Sequence, residues 1–219
     1  MAIQVQGNGG TVAEVDGTTF RAMRVVQRPI DHGAFGQYQL STTVPLVVTQ
    51  AANGTLFSFR WGDASRICVV QSIKLEVQQT AAATATIAPV FEVFTARSFT
   101  ASDSIGTALT LTGNSFKKRT SMGTTLVTDI RQSSVAAGLT AGTRTLDAQP
   151  ILQLGTVQTI TNVNTTTYSK VADFTDGSDH PLVLAQNEGF IVRGPTVVFG
   201  AAGTANLIVE VQWVEATSY

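Results

Sequence analysis

The fold is decided by residues 181–216, which read PLVLAQNEGFIVRGPTVVFGAAGTANLIVEVQWVEA. Near the end of this stretch, apolar residues take every second position, at Leu207, Val209, Val211 and Trp213. Polar Glu210 and Gln212 alternate with them, and this period of two is typical of a β-strand with one buried face. Residues 189–193 and 195–199 predict a second strand region, and a Gly/Ala-rich turn follows it. The chain is therefore predicted to close with an antiparallel β-hairpin.

Two segments nearer the middle of the chain alternate in the same way. Residues 55–61 place three aromatic side chains on one face, Phe57, Phe59 and Trp61. Residues 66–78 predict an inward face made of Ile67, Val69, Ile73, Leu75 and Val77. Because only the turn-forming residues 62–65 separate the two segments, we expect them to pair as a hairpin.

Weaker strand patterns cover much of the remaining sequence, at residues 87–96, 124–131, 144–146 and 156–163. Pro89 predicts an edge position or an irregular start for the first of them. One short helix is possible over residues 127–137, although no capping residues support it. Many short strands separated by turns favour an all-β, antiparallel β-sandwich of jelly-roll-like type.

The chain divides into two predicted parts. Residues 1–38 are Gly-rich and interrupted by turns, and we interpret them as an N-terminal arm or extension. Residues 39–219 are predicted to form a single β-sandwich domain, since a chain of 219 residues can bury a full core.

Charged residues make up only 13% of the chain, against about 25% in typical globular proteins. Hydrophobic residues account for 43%, so the low charge does not indicate disorder. Interface cores are depleted of charge, which favours a protein that keeps much of its surface in permanent contacts. Neutral polar surfaces are also common in β-rich secreted or viral proteins, and that interpretation stays open. We expect a homo-oligomer, either a dimer or a trimer.

Several classes of partner are not expected. A net charge of −1 and a single basic run, Lys117-Lys118-Arg119, argue against nucleic-acid binding. The first ten residues have neither the basic nor the apolar region of a signal peptide, and no apolar run is long enough for a membrane helix. The single cysteine, Cys68, excludes an intramolecular disulfide and lies in an apolar strand pattern typical of a small core residue.

No residue pattern indicates catalysis, a metal or a cofactor. Four residues could in principle bind a divalent cation, Asp176, Asp179, His180 and Glu188. A polar turn before Pro181 explains the first three better. His32 is interpreted as a loop residue, and residues 7–10 lack the Lys-Ser/Thr that a phosphate-binding loop requires. Trp61 and Trp213 lie on apolar strand faces and are predicted to pack in the core. We therefore expect a protein that is not an enzyme.

Five segments resemble virion structural proteins of tailed phages and prophages. They are residues 184–193 (LAQNEGFIVR), 209–215 (VEVQWVE), 1–17, 119–131 (RTSMGTTLVTDIR) and 141–151 (AGTRTLDAQPI). The resemblance implies a virion component that is assembled in the cytoplasm of the bacterial host.

A β-sandwich with an arm suits a capsid decoration or cement protein that binds the major capsid protein. Residues 1–15 and the exposed loops between residues 100 and 150 are the predicted contacts. The alternative is a tail, baseplate or head-fibre component that contacts glycans of the host surface.

Overall fold

The computed structural model describes residues 36–160, 167–174, 181–199 and 203–217. In these residues the chain forms only β-strands and connecting loops, which confirms the all-β prediction. No helix in the described ranges is long and apolar enough to cross a membrane. Apart from its last three residues, the predicted arm lies outside the described residues.

Two antiparallel sheets form a sandwich. The first sheet contains five strands: β1 (Gln37–Leu46), β3 (Ile67–Ala81), β9 (Thr167–Asp173), β10 (Leu182–Leu184) and β12 (Thr204–Ala216). The second contains seven: β2 (Thr55–Trp61), β4 (Val90–Arg97), β5 (Thr107–Ala108), β6 (Val127–Gln132), β7 (Thr145–Leu146), β8 (Leu152–Gly155) and β11 (Glu188–Arg193).

The strand order is jelly-roll-like, as predicted. In the first sheet the order is β1-β12-β3-β10, with β9 also paired to β3; in the second it is β5-β6-β2-β11-β4-β7, with β8 also paired to β4. The chain crosses between the sheets from β1 to β2, β2 to β3, β3 to β4, β8 to β9, β10 to β11 and β11 to β12. The strands joined by these connections therefore lie in opposite sheets of the sandwich.

Both predicted hairpins are wrong for this reason. β2 pairs with β6 and β11, whereas β3 pairs with β9, β10 and β12. β11 and β12 likewise lie in opposite sheets, and residues 195–199 form a loop. Alternation placed the core-facing aromatic residues of β2 and the core-facing residues 207–213 of β12 correctly. It could not distinguish two apolar faces side by side in one sheet from two faces opposed across a core.

Aromatic rings join the two sheets in the core. The ring of Phe59 on β2 lies 5.0 Å from that of Phe190 and 5.4 Å from that of Trp213 on β12. Trp213 also stacks on Tyr38 at 5.6 Å. Trp61 and Trp213 are fully buried, as predicted from their apolar strand faces.

The inward face of β3 is only partly as predicted. Ile73, Leu75 and Val77 belong to the core, but Cys68 and Val70 take the places predicted for Ile67 and Val69. The pairing with β12 jumps from Ser72 opposite Gln212 to Val70 opposite Trp213. The extra residue makes a β-bulge, and alternation read through it at a constant period assigns the wrong face.

Several weaker predictions also needed correction. Residues 127–132 form β6 beside β2, so the short helix over residues 127–137 is wrong. The strand predicted at residues 87–96 begins after Pro89, and the one at residues 144–146 is β7. Of the strand predicted at residues 156–163, residues 161–163 lie outside the described residues, and in the described part the chain makes an isolated bridge between Gln158 and Ile87.

Candidate interaction surface

Five loop segments meet at one end of the sandwich, which we call the loop end. They are residues 47–54, 82–89, 133–139, 156–160 and 194–199. They are joined by backbone hydrogen bonds: Gly194 donates to Gly54 at 3.0 Å, Ala51 to Ala136 at 2.7 Å, and Ala83 to Thr159 at 3.1 Å. These bonds join residues 47–54, 133–139 and 194–199 to one another, and they join residues 82–89 to residues 156–160.

The loop end carries no charged residue. None of its five segments contains Asp, Glu, Lys, Arg or His. It nevertheless holds six of the nine large hydrophobic side chains that are exposed in the described part of the chain: Val48, Val135, Val157, Ile160, Val197 and Val198. Val198 is 54% exposed and Ile160 is 51% exposed. Scattered apolar residues are normal on a surface, but their concentration on an uncharged end is typical of a contact site.

Gln50 fixes the shape of the loop end. Its side chain is 1% exposed and donates hydrogen bonds to the carbonyls of Ala136, at 2.6 Å, and Val135, at 3.5 Å. Its own carbonyl accepts a hydrogen bond from the backbone of Phe199 at 3.2 Å. Gln50 thereby connects three of the five segments, residues 47–54, 133–139 and 194–199. The exposed valines of these three segments are therefore held in fixed positions relative to one another.

Charge is concentrated instead toward the opposite end. There Arg97 Nη1 lies 2.6 Å from Glu188 Oε1, and Arg97 Nη2 lies 3.3 Å from Asp147 Oδ2. The 62–66 turn is built on Asp63, whose carboxylate accepts hydrogen bonds from the backbone of Ser65 and Arg66 at 2.9 Å. A hydrogen bond from the Ser65 hydroxyl at 2.8 Å, together with these backbone bonds, holds the pKa of Asp63 below its usual value. The two ends of the sandwich thus differ in chemistry.

A buried carboxylate lies at the charged end. Glu215 is fully buried and accepts hydrogen bonds from the hydroxyl of Thr125 at 2.6 Å and the backbone of Leu126 at 2.8 Å. Arg66 Nη1 approaches it at 3.9 Å. Burial raises its pKa. Burial, together with the charge of Glu215, raises the pKa of the Cys68 thiol well above its usual value. Such a cysteine packs as a small core residue, in agreement with the sequence analysis.

An ion pair is buried against the outside of the second sheet. Arg144 and Asp103 are in contact, with side chains 5% and 0% exposed. Arg144 also donates to the Thr55 hydroxyl at 3.0 Å and lies over the ring of Phe99 at 5.2 Å. Burial lowers the pKa of Arg144 to about 10, which leaves it charged at neutral pH. This pair fastens the segment after β4 onto the sheet.

Several residues that the sequence analysis discussed lie outside the described residues. They are residues 1–15, His32, Asp176, Asp179 and His180. Glu188 is described, and its carboxylate is engaged by Arg97 and by the backbone of Ala185 at 2.8 Å. In the described ranges no three His, Cys, Asp or Glu side chains are grouped so that they could hold a metal ion.

Comparison with known proteins does not assign the chain to a family. No protein-family model matches it, and no curated protein matches it significantly. Of the loops between residues 100 and 150 that the sequence predicts as contacts, residues 133–139 belong to the loop end. The absence of charge from all five segments is visible in the sequence, but their meeting at one end follows only from the strand order.

Proposed function

We propose that this protein is a structural component of a tailed-phage virion, most simply a decoration or cement protein that binds the head shell. The uncharged loop end is the observation that carries the proposal. The five phage-like segments of the sequence support a location in a phage particle. The low charge of the whole chain supports permanent contacts with other proteins. The sandwich supplies a rigid body that holds the contact surface.

The loop end has the composition of an interface core. Charged residues are depleted at the centre of protein interfaces because their desolvation is costly, whereas exposed aliphatic side chains gain free energy when they are covered. Val197 and Val198 lie on the same loop, and Gln50 connects that loop to the ones carrying Val48 and Val135. A partner could cover these side chains without leaving any charge unpaired.

The proposed partners are the major capsid protein and other copies of this chain, as a dimer or trimer. Closed symmetric assemblies are the usual form of soluble oligomers. Many copies on one shell would also act together, because a bound oligomer keeps its remaining contacts at high local concentration. The proposed location is the virion, after assembly in the host cytoplasm.

Rebinding to particles assembled without this chain tests the proposal. Val198→Glu places a carboxylate in the loop end, and we expect it to weaken rebinding by about tenfold or more, as for a central interface residue. Val171→Glu is the matched control, since Val171 is 50% exposed on the outer face of β9, away from the loop end. Equal rebinding of wild type and Val198→Glu would contradict a role for the loop end.

The predicted arm requires a separate test. Deleting residues 1–15 is expected to abolish rebinding while the sandwich stays folded, as judged by its thermal unfolding. Unchanged rebinding of the truncated protein would remove the arm from the proposal and leave the loop end as the contact.

A tail, baseplate or head-fibre component that contacts host glycans is the second candidate. A groove on the first sheet favours it, because its lining includes the polar side chains of Gln39, Ser41 and Gln212. The number of copies per virion separates the candidates, because a shell protein is expected in hundreds of copies and a tail protein in far fewer. Quantitative mass spectrometry of purified particles provides this number.

A further inference from the structure

A groove lies on the outer face of the first sheet, beside its β1 edge. It has a volume of about 410 Å³ and is lined by Gln39, Leu40, Ser41, Ser115, Phe116, Glu210, Val211 and Gln212. Pairing of β1 with β12 sets Gln39 opposite Gln212 and Ser41 opposite Glu210 on its floor. The volume falls in the range of small-molecule sites, about 300–1,000 Å³.

The wall of the groove is a segment that runs along β1. The backbone of Gln39 donates to the carbonyl of Phe116 at 2.9 Å, and the backbone of Lys118 donates to that of Gln37 at 3.0 Å. These bonds place Phe116 opposite Gln39 on the same face of the sheet. Phe116 thus lines the groove beside a floor of amides and hydroxyls, and its half-buried side chain also packs against the core.

The lining presents many neutral hydrogen-bonding groups. The side-chain amides of Gln39 and Gln212 each offer both donors and acceptors, and the hydroxyls of Ser41 and Ser115 do the same. Sugar hydroxyls are donors and acceptors as well, while the C–H faces of sugar rings are apolar. A ring such as that of Phe116 can cover an apolar face while the polar groups bind the hydroxyls.

The one charged residue in the lining of the groove forms an ion pair. Glu210 is its one carboxylate, and Lys74 Nζ lies 3.6 Å from Glu210 Oε1 and 3.1 Å from Glu76 Oε2. None of the eight residues that line the groove is basic. The eight lining residues offer no cation to a phosphate or an acidic polymer, although Lys117 and Lys118 follow Phe116 on the wall segment. A cationic ligand would compete with Lys74 for Glu210. The lining therefore favours an uncharged ligand, and the two lysines make acidic glycans the alternative that the test must exclude.

We propose that this groove binds a neutral carbohydrate chain. The site is separate from the loop end, so its occupancy does not depend on the proposed attachment to a particle. A protein attached through its loop end could still present this face of the sheet to a neutral surface polysaccharide.

A glycan array probed with the purified full-length protein tests the inference. The array carries neutral hexose and N-acetylhexosamine oligosaccharides beside others that contain uronic or sialic acids. We expect binding to members of the neutral set. In titrations of the strongest neutral oligosaccharide, the double variant Gln39→Ala/Gln212→Ala should lose about tenfold or more in affinity, because both amides of the floor are removed.

Two further variants make the result specific. Phe116→Ala should also weaken binding, whereas Gln78→Ala should bind within twofold of wild type, since Gln78 lies on the same sheet face but outside the groove. Thermal unfolding of each variant checks that it is folded. The inference is overturned if only acidic glycans bind, if no neutral glycan binds, or if the double variant binds as the wild type does.

Discussion

At the scale of single residues, Glu215 connects the long segment between β5 and β6 to the sandwich. Its carboxylate accepts two hydrogen bonds from Thr125 and Leu126 while it is itself fully buried. Burial disfavours the charged form, and in balance with these bonds the pKa of Glu215 stands above its ordinary value of 4.5. The Glu215 side chain therefore holds the segment between β5 and β6 against the sandwich. It also makes the stability of the protein depend on pH.

The sign of this contribution can be tested. The folded protein holds the Glu215 proton more tightly than the unfolded chain, so the free energy of unfolding should fall as pH rises from 4.5 through the raised pKa. Each unit of pKa difference corresponds to about 1.4 kcal/mol. Glu215→Gln should remove this part of the slope in urea unfolding measured between pH 4 and 8.

The matched control is Glu210→Gln, which changes the same residue type on the solvent-facing side of the same strand. It should leave the contribution of Glu215 in place. If the Glu215→Gln protein keeps the full pH dependence of the wild type over this interval, another group is responsible for it.

Gln50 has a different role, because it satisfies carbonyls that are far from it in sequence. Gln50→Ala would remove one donor from each of the carbonyls of Val135 and Ala136, which keep the backbone amides of Gly138 and Ala51 as donors, and we expect a loss of about 0.5–1.5 kcal/mol in unfolding free energy. Hydrogen exchange should also rise at Ala51 and Phe199, whose backbone amides bond within the loop end. Unchanged exchange at both amides would show that Gln50 does not hold these loops together.

At the scale of the elements, the bulge in β3 explains how apolar side chains on both sides of it can face the core. Cys68 and Val70 face inward before it, and Ile73, Leu75 and Val77 face inward after it. Two polar residues, Gln71 and Ser72, stand between the two sets where regular alternation allows one. The bulge absorbs the additional residue, so both halves of the strand keep their apolar side chains in the core.

Two single-residue deletions follow from this geometry. Deleting Gln71 should remove the bulge and keep every inward side chain inward, so the protein should fold with a modest loss of stability. Gln71 does accept hydrogen bonds from Gln37 and Phe174, which sets that loss at about 1–3 kcal/mol. Deleting Lys74 makes Ile73 and Leu75 adjacent and forces one of them to the outer face, which should prevent folding.

Circular dichroism and thermal unfolding of the two deletion proteins compare them directly. Cooperative unfolding of the Lys74 deletion, or its absence in the Gln71 deletion, would contradict this account of the bulge.

The sequence predicts which face of a strand is buried better than it predicts which strands pair with one another. Alternation located β2 and the whole inward face of β12, because each has a regular period and large apolar residues. It missed β1 (Gln37–Leu46) and β8 (Leu152–Gly155), and it also missed β9, whose sequence Thr167–Asp173 has little apolar contrast. The pairing of strands and the loop end depend on which sheet each strand joins, and that choice is made by long-range packing. The local sequence pattern therefore does not predict which sheet a strand joins.

At the scale of the whole molecule, the sandwich has two unlike ends. The loop end lacks charge throughout its five segments, whereas the other end carries the ion pairs of Arg97 and the buried Glu215. Strand order produces this polarity, because it gathers connections from the whole chain at one end. A contact made by the loop end and a contact made by the charged end would therefore depend differently on salt.

Salt dependence separates the two kinds of contact. If attachment to a particle uses the loop end, the affinity of rebinding should change by less than about threefold between low and high NaCl, since that surface has no charges for salt to screen. Sodium sulfate should strengthen it, because excluded salts favour apolar burial. Attachment through the charged end should instead weaken steeply as NaCl is added, because ion pairs between surfaces are screened. Rebinding measured across both salt series, with Val198→Glu alongside, therefore identifies the end that makes the contact. A steep loss in NaCl that Val198→Glu does not alter would assign attachment to the charged end and contradict the proposed contact.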